Sequence, residues 1–447
     1  MKKIIISILI MSLLLTCSIA SVNAFETGRL PEQSGELLGQ SQPIKVIPSA
    51  NIYVDDDNTQ GPWDGTYEHP YKHIQDGINK AEDGYIVYVF KGIYSYCLQH
   101  PFVVWINKSI NLKGEDRENT IIEGGANSNP VYICSSNVKI LEFTIKNGNH
   151  GMTGQGIFGR NCENVQILNC NIVQNGEGVC MENCSNVLIK NCNVNYNDKG
   201  TGIRFYKYSN VEINRCEIKY NGLNQEVFVH DGIGFSQSYV NSYIKISYCD
   251  IIGNHGSGIV MDYGENIDIH YNNIINNEYG IDIFEKGANG EIHNNNISNN
   301  NGYGILFTGA YQPPSAYCDI CIYNNYISQN GYFHNIYHCA GIQIQICCGV
   351  VIKNNIFSSN INYSLFIIAS SVEIVENNFI NSIDDFSASF ASLLNESNTW
   401  NGNFWSRPRI LPKIIPGLMY SGNRYIPWVE IDWHPAQKPY DIDVGLE

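Results

Sequence analysis

A twelve-residue phrase recurs between Asn137 and Ser382, and it restricts the possible folds more than any other feature of the chain. It reads NVQILNCNIVQN from Asn164, NVLIKNCNVNYN from Asn186, NVEINRCEIKYN from Asn210, NIDIHYNNIINN from Asn266 and NGEIHNNNISNN from Asn289. Looser copies start at Asn137, Tyr243, Asp319, Gly349 and Ser371, so successive starts lie 22 to 33 residues apart. Such a period with insertions marks a solenoid, in which each unit buries its apolar face against its neighbours.

The second and fourth positions of the phrase are apolar, as in Val165/Ile167, Val187/Ile189, Val211/Ile213 and Ile267/Ile269. That alternation turns one face of a short strand inward. The ninth position is apolar from Ile145 and Ile172 to Phe357 and Phe379, marking a second inward strand after a bend. A third strand precedes most copies and opens with Gly-Ile, at Gly156, Gly202, Gly258, Gly280, Gly304 and Gly341. Three short strands per coil predict an all-β chain, a single-stranded right-handed parallel β-helix (solenoid) of about ten or more coils. Leucine-rich repeats share the period, but here isoleucine and valine dominate and no helix recurs.

The seventh position carries Cys170, Cys192, Cys216 and Cys249, then Asn272, Asn295, Asn325, Asn355 and Asn377. The twelfth carries Asn175, Asn197, Asn221, Asn254, Asn277, Asn300, Asn330 and Asn360. Asparagine tolerates the left-handed backbone of a tight bend, and its amides can bond along a stack. Both ladders are therefore expected to be structural.

The flanks divide the remainder. Lys2 and Lys3, the apolar run Ile4 to Leu15 and the small residues up to Ala24 predict a signal peptide over 1–24, cleaved before Phe25. The rival reading lipidates Cys17. Residues 25–50 read as a linker, 51–107 as an N-terminal cap with the first strands, 108–385 as the repeats and 386–447 as an irregular C-terminal cap and tail. Within the N-terminal cap, Ile74, Ile78 and Ala81 fall at helical spacing ahead of Gly84, predicting a capping helix over the open end of the solenoid. No later run has the ~20 apolar residues of a membrane span, so the expected location is secreted, extracellular or cell-surface. The net charge of −16, or −18 without Lys2 and Lys3, argues against nucleic acid and anionic membrane as partners.

Fourteen cysteines remain after the leader. Cys162 with Cys184, and Cys339 with Cys347 or Cys348, are candidate pairs; buried free thiols are the alternative. Cys318 and Cys321 form C-x-x-C near His338, a candidate zinc or copper site. Asp55 and Asp57 in the run Asp55-Asp56-Asp57 are candidate calcium ligands.

The repeat, the asparagine ladder and the segment WDGTYEHPYKHIQDGINKAEDG followed by VYVFKGIY resemble the pectin-lyase-like superfamily, particularly its NosD-like parallel β-helix repeat proteins. The resemblance spans roughly residues 51–382. It implies polysaccharide or cell-surface glycan as partner and leaves lyase, hydrolase, epimerase, structural surface and metal-delivery roles open, because the fold alone does not select among them. The motifs of the enzymatic branches are only echoed: NHGSG at Asn254, YIKIS at Tyr243, and VHDG at Val229 with His230 and Asp231. If Ile203, Ile259 and Ile281 point inward, then Arg204, Asp262 and Asp282 point outward on the Gly-Ile face, joined by Arg160 and Glu182. Acids with an arginine along a groove suit uronate chemistry, and they equally suit solvated strand positions. Inserts beside this face supply Tyr311, Tyr317, Tyr332, Phe333 and Tyr337 as surfaces for sugar rings. The resulting expectation is a secreted protein that binds polysaccharide along the Gly-Ile face, with processing of that polysaccharide left open; the alternatives are a polysaccharide lyase or uronate epimerase, and a structural surface protein or NosD-like metal-delivery protein.

Overall fold

The structure, a computed structural model, describes residues 51–95, 101–125, 128–149, 154–223, 230–238, 242–262, 264–284, 288–309, 316–332, 339–381, 388–393, 397–421 and 424–445. The proposed leader, Cys17 and the linker lie outside them.

Three parallel ladders run through the stack, in the places the repeat assigns to strands. The Gly-Ile ladder starts at Phe102–Ile106 and Asn129–Ile133 and continues through Gln155–Arg160, Glu177–Lys190, Ile203–Asn214, Ile233–Ser238, Ser257–Met261, Tyr279–Phe284, Ile305–Thr308 and Ala340–Gln345. A second ladder contains the first strand of each phrase and extends from Asn51–Val54 to Thr399–Asn401. The third is a 13-stranded sheet from Gly92–Ser95 to Phe404–Trp405. Stacking thus begins before residue 108 and continues beyond 385. Ile157, Ile203, Ile259 and Ile281 of the Gly-Ile strands, Val165 and Ile167 of the second ladder, and Ile172 and Phe357 of the third all point into one buried core.

The Gly-Ile signature has a steric cause. A Cβ on Gly280 would collide with the carbonyl oxygen of Gly304, and one on Gly178 with that of Gly202. Only glycine lets these coils approach at the parallel-strand spacing.

The amides of both asparagine ladders bond along the stack. Asn272 Nδ2 donates to Asn295 Oδ1 at 3.0 Å, Asn295 to Asn325 at 3.0 Å, Asn325 to Asn355 at 3.0 Å and Asn355 to Asn377 at 3.0 Å. The twelfth-position ladder runs in the same way from Asn175 to Asn360. The left-handed backbone is not where the sequence reading places it. It falls one residue earlier, at Asn294, Asn324 and Asn354 before the seventh-position ladder, and at Asn276, Asn299 and Gln329 before the twelfth. The ladder asparagines themselves point inward and satisfy backbone groups at the bend.

The expected helix forms over Ile74–Lys80, shorter than its spacing implies, because Ala81 is already extended. Ile74 and Ile78 are buried. At the other end Lys413–Ser421 and Arg424–Asp432 make an antiparallel hairpin. Its Asp432 is fully buried and accepts from Asn403 N at 3.0 Å, Asn403 Nδ2 at 3.2 Å and Trp405 Nε1 at 3.1 Å. A carboxylate thus receives the last donors of the asparagine ladder. Among the described residues no helix is long and apolar enough to cross a membrane.

Candidate functional site

The register aligns one outward row along the Gly-Ile ladder. It runs Trp105, Tyr132, Phe158, Cys180, Arg204, Gly234, Val260, Asp282, Leu306 and Gln343. From Trp105 to Asp282 the row spans seven coil steps of ~4.8 Å, or roughly 34 Å.

Three aspartates converge toward the far part of this row. Asp282 follows Ile281 outward and is only 7% exposed, with Oδ1 buried and without a hydrogen-bond partner among the described residues. Burial pushes its carboxyl up to about 8, and the nearby charges of Asp231 and Asp262 act in the same direction. Asp231 stands on the turn just before Gly232-Ile233, where Oδ1 accepts from Ser257 N at 2.8 Å. Burial raises it to about 7 against that hydrogen bond. Asp262 accepts from Ser236 Oγ at 3.0 Å. His230 and His255 lie beside the group with ring centroids 5.8 Å apart, and burial followed by the charge of His255 lowers His230. Burial also raises Glu278, next to His255.

These shifts carry a stability consequence. A carboxyl raised in the folded state stabilises fully below its unfolded value of about 4 and loses that contribution as pH rises through the folded value. Asp282→Asn is therefore expected to melt close to wild type below about pH 4 and above wild type once pH passes about 8. Paired thermal melts at those two pH values check this; equal melting temperatures at the high value would contradict it.

Arg204 faces this row and is held there by a glutamate. Its Nε lies 2.6 Å from Glu177 Oε1 and its Nη2 donates to Glu177 Oε2 at 3.1 Å, with Glu177 buried. Burial pushes the Glu177 carboxyl up while the guanidinium opposes it. Gln155 and Asn129 extend this polar chain by donating to Glu177 at 3.4 Å and Gln155 at 2.9 Å. Arg160 and Glu182, two of the candidates, pair with each other at 3.5 Å on the exposed neighbouring row.

The remaining candidates separate. Cys318 is fully buried and meets Cys347, whereas Cys321 faces outward on a strand of alternating burial, so C-x-x-C does not converge on a metal. Residues three apart on a strand leave opposite faces. Cys347 therefore faces Cys318 and not Cys339, while Cys162 and Cys184 do meet, with sulfurs 2.8 Å apart. Asp55 Oδ1 closes a turn by accepting from Asp57 N at 3.0 Å, and Asp56 Oδ2 turns away to accept from Ile93 N at 3.0 Å. Asp55 and Asp57 thus share one turn, while Asp56 serves the strand at Ile93. Tyr332 is exposed. Tyr311, Phe333, Tyr337 and the side chain of Tyr317 lie outside the described residues.

The sequence reading missed an aromatic platform at the near end of the row. Tyr132 stacks on Phe102 with centroids 4.6 Å apart and lies 5.5 Å from Phe158, while Trp105 is 6.3 Å away and exposed. Gln75, Asn79, Phe102, Trp105 and Tyr132 line an apolar concavity of about 440 Å³. Glu177 was also missed; the register sets it beside Gln155 on the adjacent coil.

The family model for the right-handed β-helix region matches residues 105–233 and 155–320. None of the curated proteins matches the chain by sequence. Similar solved structures include the A-module of mannuronan C-5 epimerase AlgE6 from Azotobacter vinelandii, at 14% identity and TM-score 0.46, covering 75% of this chain and 95% of that one. The Yersinia enterocolitica family 28 exopolygalacturonase shares 12% identity at TM-score 0.46, covering 78% and 76%. PfbA, a surface adhesin of Streptococcus pneumoniae, shares 14% at TM-score 0.46, covering 86% and 100%.

Proposed function

We propose that the Gly-Ile face of this right-handed parallel β-helix binds a polysaccharide and hydrolyses it by general acid–base catalysis. The observation that carries this reading is the meeting of Asp231, Asp262 and Asp282, with two of the carboxyls raised to about 7 and about 8. An acid raised in this way holds its proton at neutral pH and can donate it to a departing glycosidic oxygen. Asp262 is already a hydrogen-bond acceptor, for Ser236, and is the group placed to take a proton from an attacking water. Asp282 is the donor in this scheme, because its Oδ1 has no hydrogen-bond partner among the described residues. Burial, with the neighbouring charges of Asp231 and Asp262 acting in the same direction, keeps Asp282 protonated.

The lyase and epimerase alternatives require a cation to neutralise a uronate and a base to remove its proton. Arg204 and Arg160 are both engaged by glutamates. With the net charge of −16, that favours an uncharged glycan over a polyuronate. The leader expected over 1–24 supports export, and in this reading the glycan is extracellular or on a cell surface. The platform of Trp105, Tyr132 and Phe158 offers stacking surface for sugar rings distant from the bond cleaved.

Incubation with a panel of neutral polysaccharides is expected to release new reducing ends. Trp105→Ala and Tyr132→Ala are each expected to raise KM about tenfold, ~1.4 kcal/mol, and to leave kcat close to wild type, because the platform is remote from the acids. Unchanged KM for long substrates in both variants would remove the platform from the binding face.

A further inference from the structure

A second group of side chains lies on the second ladder, away from the Gly-Ile face. Strands Ile267–His270 and Asn289–His293 pair so that Asp268 faces Glu291 and His270 faces His293. The imidazoles stack with centroids 5.0 Å apart, and His293 stacks on Tyr323 at 4.7 Å. His270 Nδ1 is 2.5 Å from Asp268 Oδ1, and His293 Nε2 is 3.5 Å from the same oxygen. The donor atoms of all three residues lie within 4.8 Å of one another.

The hydrogen bonds around His293 determine its tautomer. Asn294 Nδ2 donates to the Asp443 carbonyl at 3.2 Å, which directs Asn294 Oδ1 toward His293 Nδ1 at 2.9 Å. Nδ1 therefore carries the proton, and Nε2 presents a lone pair. That lone pair faces Asp268 Oδ1 and, at 3.9 Å, Glu291 Oε2. Three acceptors pointing at one another repel unless a proton or a cation stands between them. The hydrogen bond from the second nitrogen is also the arrangement that orients a ligating histidine.

We propose that Asp268, His270 and His293 bind a divalent ion of the zinc class, with Glu291 or water completing a tetrahedral shell. Two imidazoles and a carboxylate are a zinc donor set. Tetrahedral bonds of ~2.0–2.1 Å place neighbouring donors roughly 3.4 Å apart, close to the 3.5 Å between His293 Nε2 and Asp268 Oδ1. When His270 gives Nδ1 to the ion its ring proton sits on Nε2 instead, so the shorter His270–Asp268 hydrogen bond opens and a neutral imidazole binds with no net release of a proton. Lys245 Nζ at 4.0 Å and Tyr243 Oη at 3.3 Å hold the other oxygen of Asp268 and orient the carboxylate. Bound zinc would tie two coils together and, through Asn294, fasten the segment around Asp443.

The test uses the full chain, stripped with a chelator and then dialysed against Zn²⁺ or Co²⁺. One equivalent of Zn²⁺ should be retained, and the Co²⁺ form should show visible d–d absorption without thiolate charge-transfer bands. His270→Ala/His293→Ala should lose this binding, and Asn294→Ala should weaken it about 10- to 100-fold. Circular dichroism establishes that each variant is folded; if the double variant is not, Asp268→Asn takes its place. No retained zinc, thiolate bands pointing to the cysteines, or unchanged affinity in the folded variants would each overturn the site.

Discussion

Asn295→Ala is expected to cost about 3–5 kcal/mol, enough to leave a protein of ordinary stability, about 5–15 kcal/mol, close to unfolding. Asn295 is fully buried and sits mid-ladder. Its Oδ1 accepts from Asn272 N at 3.0 Å and Asn272 Nδ2 at 3.0 Å. Its Nδ2 donates to Ile269 O at 2.8 Å, His293 O at 2.9 Å and Asn325 Oδ1 at 3.0 Å. Alanine leaves a buried N–H and a buried carbonyl without partners, and neighbouring amides cannot move to reach them. An exposed control, Asn301→Ala, should stay within about 0.5 kcal/mol of wild type. Urea denaturation of the three proteins measures the difference; a loss under about 1 kcal/mol for Asn295→Ala would mean that the ladder decorates the core without holding it.

Asn295 also illustrates what the repeat makes legible and where it stops. Period and alternation are enough to locate the strands, because an inward residue on one coil must lie against its equivalent on the next. They do not separate the left-handed residue from the ladder residue, since Asn294-Asn295, Asn324-Asn325 and Asn354-Asn355 put asparagine at both. Arg215, Tyr248, Tyr271 and Glu376 occupy the same left-handed position. Coil stacking imposes that conformation even on residues with no preference for it.

The candidate site shows the same division. Alternation within one strand correctly turns Arg204 and Asp282 to the outer face. Pairing between coils is not visible in that way, because the spacing changes at each insert. Arg204 and Glu177 are 27 residues apart and become neighbours only through the register of Ile203–Asn214 with Glu177–Lys190. The Trp105, Tyr132 and Phe158 row lies largely before the clear phrases start, so the period does not bring it into view.

Asp282→Asn is expected to lower kcat about 10²–10⁴-fold, the usual contribution of a positioned acid, with little change in KM. The amide preserves size and cannot donate a proton to the leaving oxygen. Because the acid is raised to about 8, wild-type activity should fall as pH rises through that value. Asp262→Asn should reduce the rate comparably by removing the base, whereas Glu182→Gln, on an exposed ion pair away from the acids, should leave it nearly unchanged. Activity persisting in Asp282→Asn would assign proton donation elsewhere.

The most direct test is NMR analysis of the products released from a panel of neutral and uronate-containing polysaccharides by wild type and by Asp282→Asn. Hydrolysis along the Gly-Ile face predicts saturated oligosaccharides with new reducing ends from wild type and almost none from the variant. Unsaturated products, epimerised residues without chain cleavage, or substrate left intact across the panel would contradict it.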